Sequence, residues 1–207
     1  MRAEYPEALN NLGICLKELE RYEHSEIVLK RAVSMQPGFA GAWLNLGNTF
    51  KEQEKFEEAI TSYRKAIEVK PDFADVYFAL GLAMKEKGEV EEAIASYRKA
   101  IEVKPDFADA YKQLATCLHE ESELQDALIS YALALELDNQ VSDCQFHLCA
   151  AGVENRTHGF HALQSEGMRV LQQSADLLQD DLLFLRCICD FSEQWGMGLE
   201  FPEELSQ

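Results

Sequence analysis

The stretch EEAITSYRKAIEVKPDFAD at Glu57 to Asp75 returns almost unchanged as EEAIASYRKAIEVKPDFAD at Glu91 to Asp109, 34 residues later. Self-similarity at a fixed period of this length indicates tandem repeats. The two full units, residues 40–73 and 74–107, are identical at 21 of 34 positions. Extending the period in both directions predicts four units, at residues 6–39, 40–73, 74–107 and 108–141.

Each unit carries apolar and small residues at fixed places. In its first half these are a large apolar residue at the fourth place (Leu9, Trp43, Tyr77, Tyr111), Leu at the seventh (Leu12, Leu46, Leu80, Leu114) and a small residue at the eighth (Gly13, Gly47, Gly81, Ala115). In its second half they are a small residue at the twentieth place (Ser25, Ala59, Ala93, Ala127) and a bulky one at the twenty-fourth (Leu29, Tyr63, Tyr97, Tyr131). Steps of three and four place such residues on one face of a helix. Each unit is therefore predicted to form two amphipathic helices that pack closely through the small residues.

Prolines lie near the end of the first three units. Pro37, Pro71 and Pro105 are predicted to end the second helix of their units, because proline donates no backbone hydrogen bond and disfavours helical geometry in the preceding residue. Asp72 and Asp106 follow directly and are predicted to cap the next helix.

The second unit shows a family resemblance most clearly. Trp43-x2-Leu46-Gly47-x2-Phe50, then Ala59-x3-Tyr63-x2-Ala66, then Pro71, resembles the signature of the tetratricopeptide repeat family. The resemblance extends from Pro6 to about Val141, with Ser25, Ala115 and Asn139 as its departures. It implies an all-α fold, a right-handed α-solenoid of tandem helix-turn-helix repeats, with a C-terminal helical cap.

The resemblance also implies a binding site. In this family the first helix of each unit lines a concave groove that holds an extended peptide or a partner helix. Carried over place by place, the candidate groove residues are Asn10, Asn11, Ile14, Lys17, Leu44, Asn45, Asn48, Lys51, Phe78, Leu82, Lys85, Lys112, Gln113 and His119. They lie outside the helical face that carries the recurring apolar and small residues, here called the packing stripe. We therefore expect the core not to need them.

Two features of this set suggest the chemistry of a partner. Lys17, Lys51 and Lys85 recur every 34 residues as a basic row, and Ile14, Leu44, Phe78 and Leu82 form an apolar patch beside it. A protein or peptide with apolar anchors and some acidic residues fits both. Charged helix faces are commonly only solvated, so the lysines alone decide nothing. The Lys and Asn clamp by which some relatives grip a C-terminal carboxylate is not matched, because Asp75 and Ala79 stand in the third unit.

Charge argues against two classes of partner. The net charge is −18, and residues 113–207 contribute −14 of it. A negative field repels phosphate backbones and anionic lipid, so neither nucleic acid nor a membrane is expected as partner. With no signal peptide or membrane-spanning stretch at the sequence level, we expect a cytoplasmic protein whose six cysteines are reduced thiols.

Residues 142–207 match the repeat poorly. Helical patterning continues there, and because terminal units of a solenoid need a polar outer face, we predict an acidic helical cap. Five potential ligands, Cys144, His147, Cys149, His158 and His161, fit no zinc-module spacing, so neither a metal nor another cofactor is expected.

No phosphate loop, nucleophile elbow or metalloprotease motif occurs in the sequence. The chain is therefore predicted to be a protein-interaction module or scaffold and not an enzyme. Two alternatives stay open: a substrate-recruiting arm associated with a glycosyltransferase-type enzyme, and self-association through the cap or the tail at Phe201 to Leu205.

Overall fold

The computed structural model describes residues 5–137, and this part of the chain is all-α. Its eight helices are α1 (Pro6–Glu18), α2 (Tyr22–Met35), α3 (Ala40–Glu52), α4 (Phe56–Val69), α5 (Ala74–Lys87), α6 (Val90–Val103), α7 (Ala108–Glu120) and α8 (Leu124–Leu137). The first helix of each pair begins where a 34-residue unit begins in the sequence. The predicted cap, with four of the six cysteines, lies outside the described residues.

Helices pack in pairs along the chain. The pairs α1 with α2, α3 with α4, α5 with α6, and α7 with α8 make the most extensive contacts, and α2 packs on α3 as α4 packs on α5. The chain divides into two compact units between Asp106 and Phe107. The first compact unit holds the helix pairs of the first three repeats, and the described part of the second compact unit holds the pair of the fourth repeat. The predicted all-α solenoid of helix pairs is confirmed.

Small residues lie against large ones inside each pair, as the sequence predicted. A Cβ atom on Gly13 would lie 2.5 Å from Leu29 Cγ, and one on Gly81 would lie 2.5 Å from Tyr97 Cε1. Gly47 meets Tyr63 in the same way. Burial of Leu29, Tyr63, Tyr97 and Tyr131 is complete. The small residue at the eighth place is therefore what allows the paired helices to approach.

One leucine of the predicted packing stripe is exposed. The leucine at the seventh place is 2% exposed at Leu46 and 6% at Leu80, but Leu12 is 48% exposed. Leu46 and Leu80 are covered because a preceding helix pair packs on α3 and on α5. Among residues 5–137 no helix precedes α1, so the expectation for Leu12 was wrong.

The connections between repeats also differ from expectation in one respect. Pro37, Pro71 and Pro105 follow the ends of α2, α4 and α6, as predicted. The N-cap residues of α5 and α7 are, however, Phe73 and Phe107, and neither makes a side-chain cap hydrogen bond. The prediction of Asp72 and Asp106 as caps was wrong, because each aspartate lies one residue too early, within the turn.

Hydrogen bonds across the first repeat boundary explain one departure from the family signature. Ser25 Oγ donates to the Gly13 carbonyl oxygen at 2.8 Å and lies 3.0 Å from Thr49 Oγ1 in the next repeat. Trp43 donates from its indole nitrogen to the Pro37 carbonyl oxygen at 2.8 Å. Serine at the twentieth place thus replaces alanine with a buried hydroxyl that joins α1, α2 and α3.

None of the helices between residues 5 and 137 combines the length and the apolar character needed to cross a membrane.

Candidate functional site

The first helices of the first three repeats, α1, α3 and α5, lie side by side. α1 contacts α3, and α3 contacts α5. Residues at the same place in successive units therefore lie on neighbouring helices, and the candidate groove residues of these three helices share one layer of the fold. Lys112, Gln113 and His119 lie on α7, which belongs to the fourth repeat and to the second compact unit, and all three are half-buried.

The amides at the start of this layer bond to one another. Asn45 Nδ2 donates to Asn10 Oδ1 at 2.8 Å, and Asn10 Nδ2 donates a longer bond of 3.4 Å to Asn11 Oδ1. Asn10 is only 7% exposed. The expectation that the candidate residues are not needed for packing was wrong for Asn10, because the fifth place of α1 lies next to the sixth place of α3.

The amide of Asn48 also has a structural partner. Asn48 Oδ1 accepts a hydrogen bond of 2.8 Å from the Tyr63 hydroxyl. Burial raises the pKa of the Tyr63 phenol, and the carboxylates of Glu86 and Glu52 raise that pKa further, so the hydroxyl stays a neutral donor. In the fourth repeat Thr116 takes the same place, with its Oγ1 3.4 Å from the Tyr131 hydroxyl. In the second and fourth repeats the residue at the ninth place therefore orients the buried tyrosine behind it, whereas the third repeat has the apolar Leu82 at this place.

Apolar side chains follow along the layer. Leu44 on α3 and Phe78 and Leu82 on α5 are all half-buried, as is Ile14 on α1. The Phe78 ring lies 5.9 Å from the Tyr97 ring, centre to centre, at an interplanar angle of 49°. Tilted pairs at this distance are favourable, so Tyr97 holds one side of Phe78 while part of the ring stays accessible to solvent.

The lysine row is partly neutralised within the protein. Lys51 Nζ lies 3.1 Å from Glu52 Oε1 and 3.7 Å from Glu86 Oε1, so it pairs within α3 and across to α5. Such exposed pairs contribute about 0–1 kcal/mol to stability. An acidic ligand at Lys51 would have to compete with two carboxylates. The structure thus weakens the argument that the row selects acidic partners.

A charged cluster that sequence reasoning missed joins the first two repeats. Glu26 on α2 bonds to Lys30 at 2.7 Å, to Lys55 at 3.0 Å and to Gln53 at 3.3 Å. Partial burial opposes ionisation of Glu26, but the bonds from the two lysines and Gln53 outweigh it and lower the pKa of the carboxyl group. Glutamates are frequent throughout the repeats, so no pattern in the sequence distinguishes this one.

Within the described part of the chain, no group of three or more His, Cys, Asp or Glu side chains could hold a metal ion. Neither Cys15, which is exposed, nor Cys117, which is buried, forms a disulfide in this part of the chain. The five ligands considered for zinc at the sequence level lie outside this part.

Comparison with known proteins identifies the fold. Sequence models described as tetratricopeptide repeat and TPR repeat match residues 6–39, and 47–88 and 83–120, together more than half of the chain. No curated protein matches it.

Solved structures resemble the chain at low identity. PilF of Pseudomonas aeruginosa is 17% identical, with 92% of this chain and 84% of that one covered and a TM-score of 0.68. YrrB, "a TPR protein with an unusual peptide-binding site", is 20% identical, with 86% and 88% covered and a TM-score of 0.62. The first TPR of Spaghetti (RPAP3), bound to the HSP90 peptide SRMEEVD, is 20% identical, with 56% and 92% covered and a TM-score of 0.55. With its 34-residue period, paired helices and matching repeat models, the chain belongs to the tetratricopeptide repeat family.

Proposed function

We propose that the layer formed by α1, α3 and α5 binds an extended peptide or a helix from another protein, and that the chain acts as an interaction module or scaffold, not as an enzyme. The observation that carries this proposal is that three members of the apolar patch, Leu44, Phe78 and Leu82, are only half-buried and lie on two adjacent helices, α3 and α5. Apolar side chains that stay partly exposed on adjacent helices are typical of protein-binding surfaces.

The family supports this role. YrrB is a TPR protein with a peptide-binding site, and the RPAP3 repeat domain holds an HSP90 peptide. A TPR fold alone leaves the identity of a ligand open, because function depends on the site and not on the fold. The residues of this chain favour a partner with apolar anchors.

The asparagine side chains are less available to a ligand than the sequence suggests. Asn10 is buried against Asn45, and the Asn48 oxygen is used by Tyr63. Asn11, which is exposed, is the amide most accessible to a ligand backbone in the first repeat. We therefore assign the main binding energy to the apolar patch, with Asn11, Asn45 and Asn48 as polar contacts at its side.

Selection from a random peptide library against the full chain tests the proposal. Fluorescence anisotropy then compares the enriched peptide with the unmodified chain, Phe78→Ala and Ile27→Ala. Ile27 is a matched control, because it is 66% exposed on α2, a second helix, outside the proposed site. We expect Phe78→Ala to weaken binding at least tenfold and Ile27→Ala to leave it unchanged. Equal affinity for all three proteins would contradict the assignment.

A further inference from the structure

The second and third repeats differ mainly in their first helices. Over the thirteen places that α3 spans, the second and third units differ at eight. The second helices α4 and α6 differ at only two of fourteen places, with Phe56 against Val90 and Thr61 against Ala95. The two repeats therefore carry almost the same second helix behind different first helices, and it is the first helices that form the proposed binding layer.

Four half-buried side chains lie together in this layer. The fifth and ninth places carry Leu44 and Asn48 on α3, and Phe78 and Leu82 on α5. Residues four apart share one helical face, and α3 contacts α5, so these four side chains form one surface, here called the four-residue surface. Three of its members are apolar, and Asn48 is the polar one.

Tyr63 fixes the orientation of the Asn48 side chain. Tyr63 is fully buried, and its hydroxyl donates to Asn48 Oδ1 at 2.8 Å. The opposite orientation of the amide would turn Nδ2 toward Tyr63 and deprive the buried hydroxyl proton of its acceptor, which is unfavourable. Within residues 5–137 the Asn48 side chain makes this one hydrogen bond, so its Nδ2 group stays available to a ligand.

A ligand that covers the apolar members of the four-residue surface also covers Asn48. Removing the Nδ2 group from water without giving it an acceptor is unfavourable, so a ligand with an apolar group at this point is rejected. In the third repeat Leu82 takes the same place and instead rejects a polar group. The ninth places of α3 and α5 therefore select different chemical groups of one ligand.

We propose that Asn48 determines the specificity of the binding layer, and that its Nδ2 group donates a hydrogen bond to a main-chain carbonyl oxygen of an extended ligand segment. The apolar side chains of that segment pack on Leu44, Phe78 and Leu82. This inference rests on the proposed function and decides between the two ligand forms named there. A helical ligand keeps its carbonyl oxygens bonded within the helix, whereas an extended segment presents them to a partner. Tyr63 is a positioning residue, because it acts on the ligand only through Asn48.

Fluorescence anisotropy with the library-selected peptide and variants of the full chain tests this assignment. Asn48→Leu, which places the third-repeat residue in the second repeat, is expected to weaken binding about fivefold, because the ligand carbonyl oxygen loses its donor. Tyr63→Phe removes only the hydroxyl and is expected to weaken binding about two- to threefold, because the Asn48 amide then adopts both orientations. Thr61→Ala is the matched control. It also introduces the third-repeat residue, but at an exposed place on α4, and it should leave the affinity unchanged.

The double variant of Asn48→Leu with Tyr63→Phe separates positioning from packing. If Tyr63 acts through Asn48, Tyr63→Phe causes no further loss of affinity in the Asn48→Leu background. Removing both partners leaves no buried hydroxyl without an acceptor, so the double variant stays folded even where Asn48→Leu alone is unstable. An equal loss from Tyr63→Phe in both backgrounds would overturn the positioning role.

Phe78→Ala distinguishes failure of this inference from failure of the proposed function. Weaker binding by Phe78→Ala together with unchanged binding by Asn48→Leu would overturn the role of Asn48 and leave the proposed site in place. Unchanged binding by Phe78→Ala would contradict the site itself, and this inference with it.

An alanine scan of the peptide tests the nature of the acceptor. The loss of affinity caused by Asn48→Leu is expected to persist with every substituted peptide, because alanine keeps the main-chain carbonyl group. If one alanine in the peptide abolishes that loss, the acceptor is a ligand side chain, and the assignment of a main-chain carbonyl oxygen is overturned.

Discussion

Asn45 Nδ2 donates a hydrogen bond of 2.8 Å to Asn10 Oδ1, and so joins the first helix of the second repeat to that of the first. Asn10 is buried, whereas Asn45 is only half-buried. From sequence alone both residues belong to the ligand-facing set. In the structure they also stabilise the stacking of two repeats, so a substitution there changes stability as well as binding.

Asn45→Ala is expected to lower the free energy of unfolding by about 1–2 kcal/mol, because it leaves the buried Asn10 oxygen without its donor. The expectation from sequence that the core does not need Asn45 would instead imply almost no change in stability. Urea unfolding followed by circular dichroism measures the effect. Asn11→Ala is the control, since exposed Asn11 only accepts a bond of 3.4 Å. Equal unfolding midpoints for the two variants would contradict the structural role of Asn45.

Much of the fold is predictable because the packing inside a repeat is local. The eighth and twenty-fourth places are 16 residues apart, and their small and bulky residues recur in every unit. The contacts between repeats are less predictable. The bond of Asn45 to Asn10 joins residues 35 positions apart at different places of their units, and the exposure of Leu12 depends on what precedes α1. The sequence therefore identified the candidate layer, but not which of its members are already engaged.

Gly81→Ala is expected to destabilise the first compact unit, which contains the first three repeats, by about 1–3 kcal/mol through overpacking. The new methyl group would lie 2.5 Å from Tyr97 Cε1 and 2.8 Å from Cδ1, and the rigid aromatic ring is fully buried. Gly38→Ala is the matched control, because nothing lies within 4 Å of the position its Cβ would take. Thermal unfolding compares them, and a smaller loss for Gly81→Ala than for Gly38→Ala would be inconsistent with the packing.

Glu54→Gly is expected to stabilise the chain by about 1 kcal/mol, because Glu54 has a φ of 59°, a conformation that costs any residue with a Cβ. Glu20 and Ser122 adopt it at the same place of their units, and the third unit has Gly88 there, with a φ of 89°. The reverse change, Gly88→Glu, should destabilise by a similar amount. Shifts of the melting temperature in opposite directions would support this assignment, and shifts in one direction would argue against it.

Acid is expected to weaken the first repeat boundary through Glu26. Its pKa is lowered from 4.5 in the folded chain, so its contribution to stability is fully present above the unfolded pKa and is lost as pH falls through the folded pKa. Glu26→Gln should therefore be less stable than the unmodified chain at neutral pH, and the gap should close in strong acid. Urea midpoints at pH 7 and at about pH 2 measure this. A gap that is independent of pH would exclude an ionised Glu26 as its cause.

The proposed binding layer is tested most directly by amide hydrogen exchange of the chain, alone and saturated with a library-selected peptide. If the layer binds the peptide, exchange slows in α3 and α5, at residues 40–52 and 74–87, and stays unchanged in α4, at residues 56–69. The helix α4 is the internal reference, because it belongs to the same unit but not to the layer of first helices. Protection confined to α2 and α4, with α3 and α5 unchanged, would contradict the proposed site.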